Sequence, residues 1–414
     1  MINFEKDKTF YVIGYSLFLT FALSLFLGLL LNEDASGIGT SNDFNNTWEY
    51  VERLKNNYFF DGSEWTRLLP FHFIFLSVLH TIFDDIFIVR LIFCSISIFI
   101  PILFFKNLVL KYGSENKGKL LIISSLILLL PFFRSSAIWP NPHILSLLFL
   151  LISILFFQKC SIELNKKINL NLIFHIIFLS LAIYTRRYYV FLFIYYIFIY
   201  YKYLKPKEFV LIIFFIFLLS VPGFILIFKF PYYVESSGYS LKFYNSIPVI
   251  SSIFLLYVIP FLNFQFFKII SLRAIIFFIL SILSTFIFAY YFDYNPRVGG
   301  GIFMKISNIF IQSNYLFFLT SLTGFYILLK LVEKNKENLI LIFLVFLTFS
   351  NNYMLQKYFE PLWFIILFLI LDLQFFRQLI KTKFQVFFVL IYFLIYSISA
   401  LLNSYYKISL NYFW

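Results

Sequence analysis

The sequence predicts an all-α, polytopic membrane protein that crosses the bilayer about 11–13 times. Of its 414 residues, 61% are hydrophobic and only 13% are charged, against about 25% charged in an average soluble protein. Apolar runs long enough to cross about 30 Å of hydrocarbon recur along the whole chain. These runs are continuous rather than alternating, which favours helices over a membrane β-barrel.

The distribution of charge indicates how these spans are oriented. If the N-terminus is cytoplasmic and the spans alternate, Lys and Arg concentrate in the cytoplasmic loops, as the positive-inside rule requires. Membrane topology then accounts for the net charge of +13, and no nucleic-acid partner is expected. We expect a multi-pass protein of the cell inner (plasma) membrane that contacts membrane lipid. Its first span, Phe10–Leu31, is expected to be retained as an anchor.

The predicted spans are joined by short, basic cytoplasmic loops. No soluble domain interrupts them, so residues 1–414 are predicted to form a single integral membrane domain. The Gly299–Gly301 run lacks the strand and the lysine of a phosphate-binding loop. In chain order the predicted spans are Phe10–Leu31, Ile86–Phe105, Lys119–Ile138, Ile144–Phe157, Ile168–Tyr184, Tyr188–Tyr203, Phe209–Phe228, Ile247–Phe267, Ala274–Phe292, Asn314–Val332, Leu339–Ser350, Pro361–Phe376 and Phe384–Leu402.

One polar stretch, residues 32–85, separates the first predicted span from the second. Its acidic residues outnumber its basic ones, and they are Glu33, Asp34, Asp43, Glu49, Glu52, Asp61, Glu64, Asp84 and Asp85. The helix start signal Ser41-Asn42-Asp43 precedes apolar residues at helical spacing, which predicts an amphipathic helix in the membrane interface. Pro70 begins a second interfacial helix. We expect these two helices to form the floor of an external cavity.

Several short motifs lie in this loop and behind it. Asp43 is followed by Trp48-Glu49-Tyr50-Val51-Glu52-Arg53-Leu54, Pro70 precedes a predicted helix, and Arg90 lies at the start of the second span. The later motifs are Leu130-Pro131-Phe132-Phe133, Tyr184-Thr185-Arg186-Arg187, Asn351-Asn352 and Lys357-Tyr358-Phe359. In these motifs and in its layout the chain resembles the GT-C glycosyltransferases. The later motifs look like the branch that contains the dolichyl-phosphate-glucose α-1,2-glucosyltransferase.

The resemblance implies a hexosyltransferase that uses a polyprenyl-phosphate-linked sugar donor and a glycan or lipid acceptor on the external face. Asp43 is then the catalytic base that takes the proton of the acceptor. Basic residues bind the donor phosphate, and the candidates are Arg134, Arg186, Arg187 and Lys357. The candidates for the substrate cavity are Asp34, Trp139 and His143. No cofactor is implied, and no clustered ligands predict a metal site.

Other interpretations of the same residues stay open. Asp43 also fits a helix N-cap, a position that favours an acidic residue. Glu33 and Asp34, at the end of the first span, are alternative catalytic acids. The remaining structural alternatives are snorkelling to lipid headgroups for Arg186 and Arg187, an interfacial anchor for Trp139 and a helix end for His143.

Two other functions are compatible with a polytopic membrane protein. The first is a flippase for lipid-linked glycans, or another transporter. Proton-coupled carriers place acids within their spans, whereas the one acid in the predicted spans, Asp372, lies near the cytoplasmic end of its span. The second is a polysaccharide polymerase of the O-antigen type. Such proteins tend to keep a basic catalytic loop late in the chain, whereas the largest loop here is early and acidic.

Overall fold

The computed structural model describes residues 2–35, 39–56, 69–160, 167–229, 242–262, 272–295, 299–333, 335–350, 354–371 and 382–406. Over these residues the chain is helical, without a β-strand, which confirms the all-α prediction. The chain divides into two compact units, unit 1 (Met1–Ser237) and unit 2 (Gly238–Trp414). The single membrane domain expected over the whole chain stays a prediction.

Unit 1 consists of apolar helices joined mostly by short connections, together with two helices in the first loop. Two 3₁₀ turns, Leu126–Leu129 and Arg187–Tyr189, follow the helices that end at Ser125 and Thr185. The helices are α1 (Ile2–Leu30), α2 (Gly39–Lys55), α3 (Phe71–Phe83), α4 (Ile86–Ser97), α5 (Phe99–Tyr112), α6 (Lys117–Ser125), α7 (Pro131–Ile138), α8 (Pro142–Cys160), α9 (Leu170–Thr185), α10 (Val190–Tyr203) and α11 (Pro206–Lys229). Helices α2 and α3 lie in the first loop, and their predicted position in the membrane interface on the external side stays a prediction.

Helix α1 packs along α6 at a close approach of the two backbones. A Cβ atom on Gly118 would lie 2.5 Å from the Tyr11 backbone nitrogen, so only glycine permits this contact. Helix α1 also packs against α4 and α7. The first loop therefore begins beside α4 and α7, and these two helices supply the side chains that hold it.

Unit 2 is built around α12 (Phe243–Val258), whose side chains are almost all buried. It packs most extensively against the helix Tyr315–Val332, and also against the helices Leu272–Tyr291 and Lys336–Thr348. The further helices of unit 2 are α13 (Leu272–Tyr291), α14 (Gly301–Ile306), α15 (Tyr315–Val332), α16 (Lys336–Thr348), α17 (Leu362–Ile365) and α18 (Lys383–Tyr406). The 3₁₀ turn Gln356–Tyr358 lies between α16 and α17.

Within the described residues, 8 helices are long and apolar enough to cross a membrane, or 9 spans if one bent pair counts as a span. They are Lys8–Leu30, Ile86–Tyr112, Pro142–Cys160, Pro206–Lys229, Phe243–Phe261, Leu272–Tyr291, Tyr315–Val332 and Lys383–Leu402. A straight crossing needs about 20 residues, whereas α9, α10 and α16 have 16, 14 and 13. The chain is thus polytopic, and the residues that the structure describes contain fewer full-length spans than the 11–13 expected over the whole chain.

Helices α11 and α13 expose large apolar side chains over most of their surface. A soluble protein rarely exposes apolar surface of this extent, whereas lipid tails cover it without a free-energy penalty. Both helices therefore have the surface of membrane spans.

Candidate functional site

The first residues of the loop after α1 are held by side chains from α4 and α7. Asn32 has a backbone φ of 52°, and its side-chain oxygen accepts a hydrogen bond of 2.9 Å from Arg90 Nη1. The backbone nitrogen of Ala35 donates to Ser135 Oγ at 2.8 Å. We call residues 32–35 the clamped segment, because partners in two helices fix its path.

Glu33, in the clamped segment, forms a buried ion pair with Arg134 of α7. The two-pronged contact joins Arg134 Nε to Glu33 Oε1 and Nη2 to Oε2, both at 2.7 Å. The other guanidinium hydrogens are donated to Ser24 Oγ, the Ser24 backbone oxygen and the Leu128 backbone oxygen. All five N–H groups of Arg134 are therefore used inside the protein.

A glycine of α1 makes room for this ion pair. A Cβ atom on Gly28 would lie 2.4 Å from Glu33 Oε2 and 3.1 Å from Arg134 Nη2. The backbone oxygen of Gly28 also accepts a 2.8 Å hydrogen bond from the Glu33 backbone nitrogen. Any larger residue at this position would displace the carboxylate from the guanidinium.

Asp34, also in the clamped segment, holds the beginning of α2. Its buried carboxylate accepts a 2.8 Å hydrogen bond from the backbone nitrogen of Ser41, one of the N–H groups that a helix leaves unpaired in its first turn. Helix α2 begins at Gly39, so Asp43 lies inside the helix and is exposed. The interpretation of Asp43 as an N-cap is wrong, because the helix begins before the start signal Ser41-Asn42-Asp43.

Helix α2 buries one face against the rest of unit 1, as an amphipathic helix does. The ring centroids of Phe44 and Trp139 are 5.9 Å apart, and those of Trp48 and His80 of α3 are 5.0 Å apart. Asp43 is next to Phe44 but points to the exposed side. The Asp43 side chain is therefore exposed, one residue before the ring that contacts Trp139.

The turn between α7 and α8, residues 138–141, collects further polar contacts. Arg90 Nε donates to the Ile138 backbone oxygen at 3.0 Å, and the guanidinium carbon lies 3.7 Å from the centre of the Trp139 ring. His72 of α3 donates to the Pro140 backbone oxygen. Burial lowers the pKa of the His72 imidazole to about 3, so this side chain is neutral at physiological pH.

Arg186 lies at the C-terminal end of α9 and is only 6% exposed. Its charge acts on His72 and lowers that pKa further. The neighbouring residue Tyr189 is buried and forms a side-chain hydrogen bond with Ser146 of α8. Burial within unit 1 argues against simple snorkelling for Arg186, while Arg187 is half-buried.

His143 lies at the N-terminal end of α8, one turn before Ser146. It is buried, its backbone nitrogen donates to Asn141 Oδ1 at 3.3 Å, and its backbone oxygen accepts a 2.9 Å hydrogen bond from Ser146 Oγ. These bonds belong to a helix start, in agreement with the structural alternative for His143. Ser146 also contacts Tyr189, so His143 lies close to the Arg186 turn.

Lys357 lies in unit 2, in the 3₁₀ turn that begins at Gln356, and is half-buried. Gln356 Nε2 donates to the hydroxyl oxygens of Tyr257 and Tyr396, at 3.1 and 2.8 Å. Both hydroxyls donate in turn to Glu360 Oε2. This buried network fixes the turn that carries Lys357. Its predicted role in phosphate binding stays a prediction.

Sequence reasoning missed the partners inside unit 1. The sequence places Arg90 only in a motif shared with the GT-C glycosyltransferases, and it offers His72 either as a cavity residue or as a structural one. Gly28 receives no role from the sequence. One signal was available: a charged residue in an apolar span is expected to be paired, and Glu33 and Arg134 lie at the ends of two such segments. The separation of 101 residues between them hides the pairing.

Unit 1 therefore brings together Asp34, Trp139, His143, Arg134 and Arg186 around the clamped segment and the turn after α7. No protein-family model, no curated protein and no solved structure matches the chain. The functional interpretation consequently depends on these residues and their geometry.

Proposed function

We propose that the protein is a membrane glycosyltransferase of the GT-C type. It moves a hexose from a polyprenyl-phosphate donor to a glycan or lipid acceptor on the external face of the inner membrane. One observation carries the proposal: the exposed carboxylate of Asp43 lies on an amphipathic helix packed against a turn that is flanked by buried arginines. The proposal therefore takes Asp43 as the base and arginines of unit 1 as the cations that bind the donor phosphate.

The proposed reaction is a displacement at the anomeric carbon of the donor sugar. The oxygen of an acceptor hydroxyl forms the new bond to this carbon, and the bond to the phosphate oxygen breaks with its electron pair. Asp43 takes the proton of the hydroxyl. The phosphate leaves as an anion, and Arg186 and Arg187 stabilise its charge.

In this proposal Arg134 does not bind the donor phosphate, which is the role that the resemblance to the GT-C glycosyltransferases implies for it. A phosphate could bind it only by displacing Glu33 or Ser24, because every guanidinium hydrogen already has an acceptor. Arg134 is therefore a positioning residue: it holds Glu33 and, through the clamped segment, Asp34 and the start of α2. Reacting groups must be held in place for the transfer. In this arrangement the clamped segment holds the start of α2, and α2 in turn holds Asp43 in a fixed position.

The proposal is tested by measuring transfer from a labelled polyprenyl-phosphate hexose by the purified protein. Asp43→Asn keeps the size of the side chain but removes the base, so we expect transfer to fall by about 100-fold or more. Glu49→Gln is the matched control, since Glu49 is an exposed acid on the same helix whose ion-pair partner is Arg53. It should transfer at the rate of the wild type.

Full activity in Asp43→Asn would exclude this residue as the base. Transfer by neither protein, with labelled donor crossing a vesicle membrane, would support the flippase instead. Elongation of a glycan by many units from a diphosphate-linked donor would support the polymerase.

A further inference from the structure

Two buried arginines of unit 1 bind neighbouring residues of the clamped segment but differ in how their charge is compensated. Arg134, 3% exposed, faces the carboxylate of Glu33 and gives all its hydrogens to acceptors. It is neutralised within the chain. Arg90, 7% exposed, binds the neutral side chain of Asn32 instead.

The guanidinium of Arg90 has incomplete partners. Its Nε and Nη1 donate to the backbone oxygen of Ile138 and the amide oxygen of Asn32, and its plane stacks on Trp139. Among the residues that the structure describes, Nη2 has no hydrogen-bond partner and no carboxylate forms an ion pair with Arg90. A buried charge without a counter-ion is strongly unfavourable, so an anion that reached Nη2 would bind there favourably.

A second buried arginine acts on a histidine that binds the same turn as Arg90. His72 and Arg90 donate to two backbone oxygens of the same turn, those of Pro140 and Ile138. The charge of the buried Arg186 acts on His72, so this second guanidinium lies near the same turn. An anion beside the turn would therefore be attracted by both arginines.

We propose that Arg90 is a further binding residue whose Nη2 binds an oxygen of a phosphate group carried on a lipid. Guanidinium groups match the geometry of phosphate oxygens. Trp139 stacks on the guanidinium of Arg90 and is half-buried, and we infer that its side chain shifts to admit the phosphate. The inference rests on the proposed function only for the lipid, a polyprenyl phosphate; an anionic phospholipid headgroup offers the same chemistry.

The test measures thermal unfolding of the full chain in phosphatidylcholine nanodiscs, with added polyprenyl phosphate or added phosphatidylglycerol. A ligand that binds only the folded state raises the melting temperature in proportion to its affinity. Polyprenyl phosphate should stabilise the wild type, and Arg90→Met should bind it at least about 10-fold more weakly. Arg273→Met, which removes an exposed arginine at the start of α13, is the control and should bind as the wild type does.

If Arg90→Met does not fold, Arg90→Lys is measured instead, because lysine keeps the positive charge but lacks the planar guanidinium. Wild-type affinity for polyprenyl phosphate in Arg90→Lys would overturn the proposal. Equal stabilisation of wild type and Arg90→Met would also overturn it. Stabilisation by phosphatidylglycerol that depends on Arg90 would support the site and assign it to phospholipid. Binding of polyprenyl phosphate that depends on Arg90, with no transfer to any acceptor, would support the site and contradict the proposed transferase.

Discussion

Arg134 and Glu33 illustrate how charged residues are kept inside an apolar protein. The guanidinium and the carboxylate meet in a two-pronged contact, and the remaining donors reach Ser24 and Leu128. Removing two ions from water costs free energy, and such a pair persists only when its geometry is good and every donor has an acceptor. Arg134 meets both conditions. Arg90 meets them only in part, which is why the two residues receive different roles.

Breaking this pair should destabilise the protein strongly. Arg134→Met leaves the Glu33 carboxylate buried without its cation, and a loss of about 3–5 kcal/mol is expected. The measurement is unfolding in detergent, followed by helical circular dichroism. The double variant Glu33→Leu with Arg134→Met should recover much of the loss, since no unpaired charge remains.

The surface pair Arg53–Glu49 is the control for this experiment. Its side chains are 38% and 63% exposed, so Arg53→Met should cost less than about 1 kcal/mol. If both arginine variants lost the same small amount, Arg134 would have no positioning role.

Helix α2 shows how an element is set up by residues outside it. Its apolar residues Phe44 and Trp48 recur at helical spacing, so its buried face could be predicted from the sequence. Its beginning could not be placed to the residue, because the carboxylate that holds it belongs to Asp34, upstream of the helix. A start signal inside the helix, Ser41-Asn42-Asp43, was mistaken for the boundary.

The Asp34 contact leads to a prediction for α2 alone. Asp34→Ala removes the acceptor for the Ser41 backbone nitrogen, and loss of such a cap costs about 0.5–2 kcal/mol. Amide hydrogen exchange in the first turn of α2 should become faster, while exchange in α8 stays unchanged. Asn46→Ala, at an exposed position of the same helix, should leave exchange as in the wild type; unchanged exchange in Asp34→Ala would remove Asp34 from this role.

Helix α11 shows a second dependence on a distant residue. The backbone nitrogen of Gly223 would ordinarily donate to the backbone oxygen of Leu219, four residues earlier. Here the Tyr184 hydroxyl of α9 stands between them: it accepts from Gly223 at 3.0 Å and donates to Leu219 at 2.6 Å. Pro222 lies inside this turn and disturbs the ladder, so the hydroxyl restores the bonding of the broken turn.

At the scale of the whole molecule, the count of membrane spans depends on where apolar runs bend. The predicted span Lys119–Ile138 falls on two segments, Lys117–Leu129 and Pro131–Ile138, that meet at 63°. Proline at the break has no N–H to donate and disfavours a helical residue before it. An apolar run therefore predicts membrane insertion better than it predicts a single straight helix.

The expected topology can be tested across one continuous span, Ile86–Tyr112. Asn42→Cys on the exposed side of α2 should react with an impermeant thiol reagent from outside, and Ser114→Cys only from the cytoplasmic side. Both positions are exposed, whereas the native Cys94 and Cys160 are buried, so background labelling should be low. Labelling of both positions from one side would contradict the topology and the external site proposed with it.

The sequence by itself determined the all-helical membrane character and the two helices of the first loop. Hydropathy and amphipathic spacing are local properties, and α2 and α8 could be recognised from neighbouring residues alone. Only the tertiary structure decided that Glu33 pairs with Arg134 and that Arg90 stacks on Trp139. Those partners are far apart along the chain, and their contact depends on how α1, α4 and α7 pack, which no local pattern specifies.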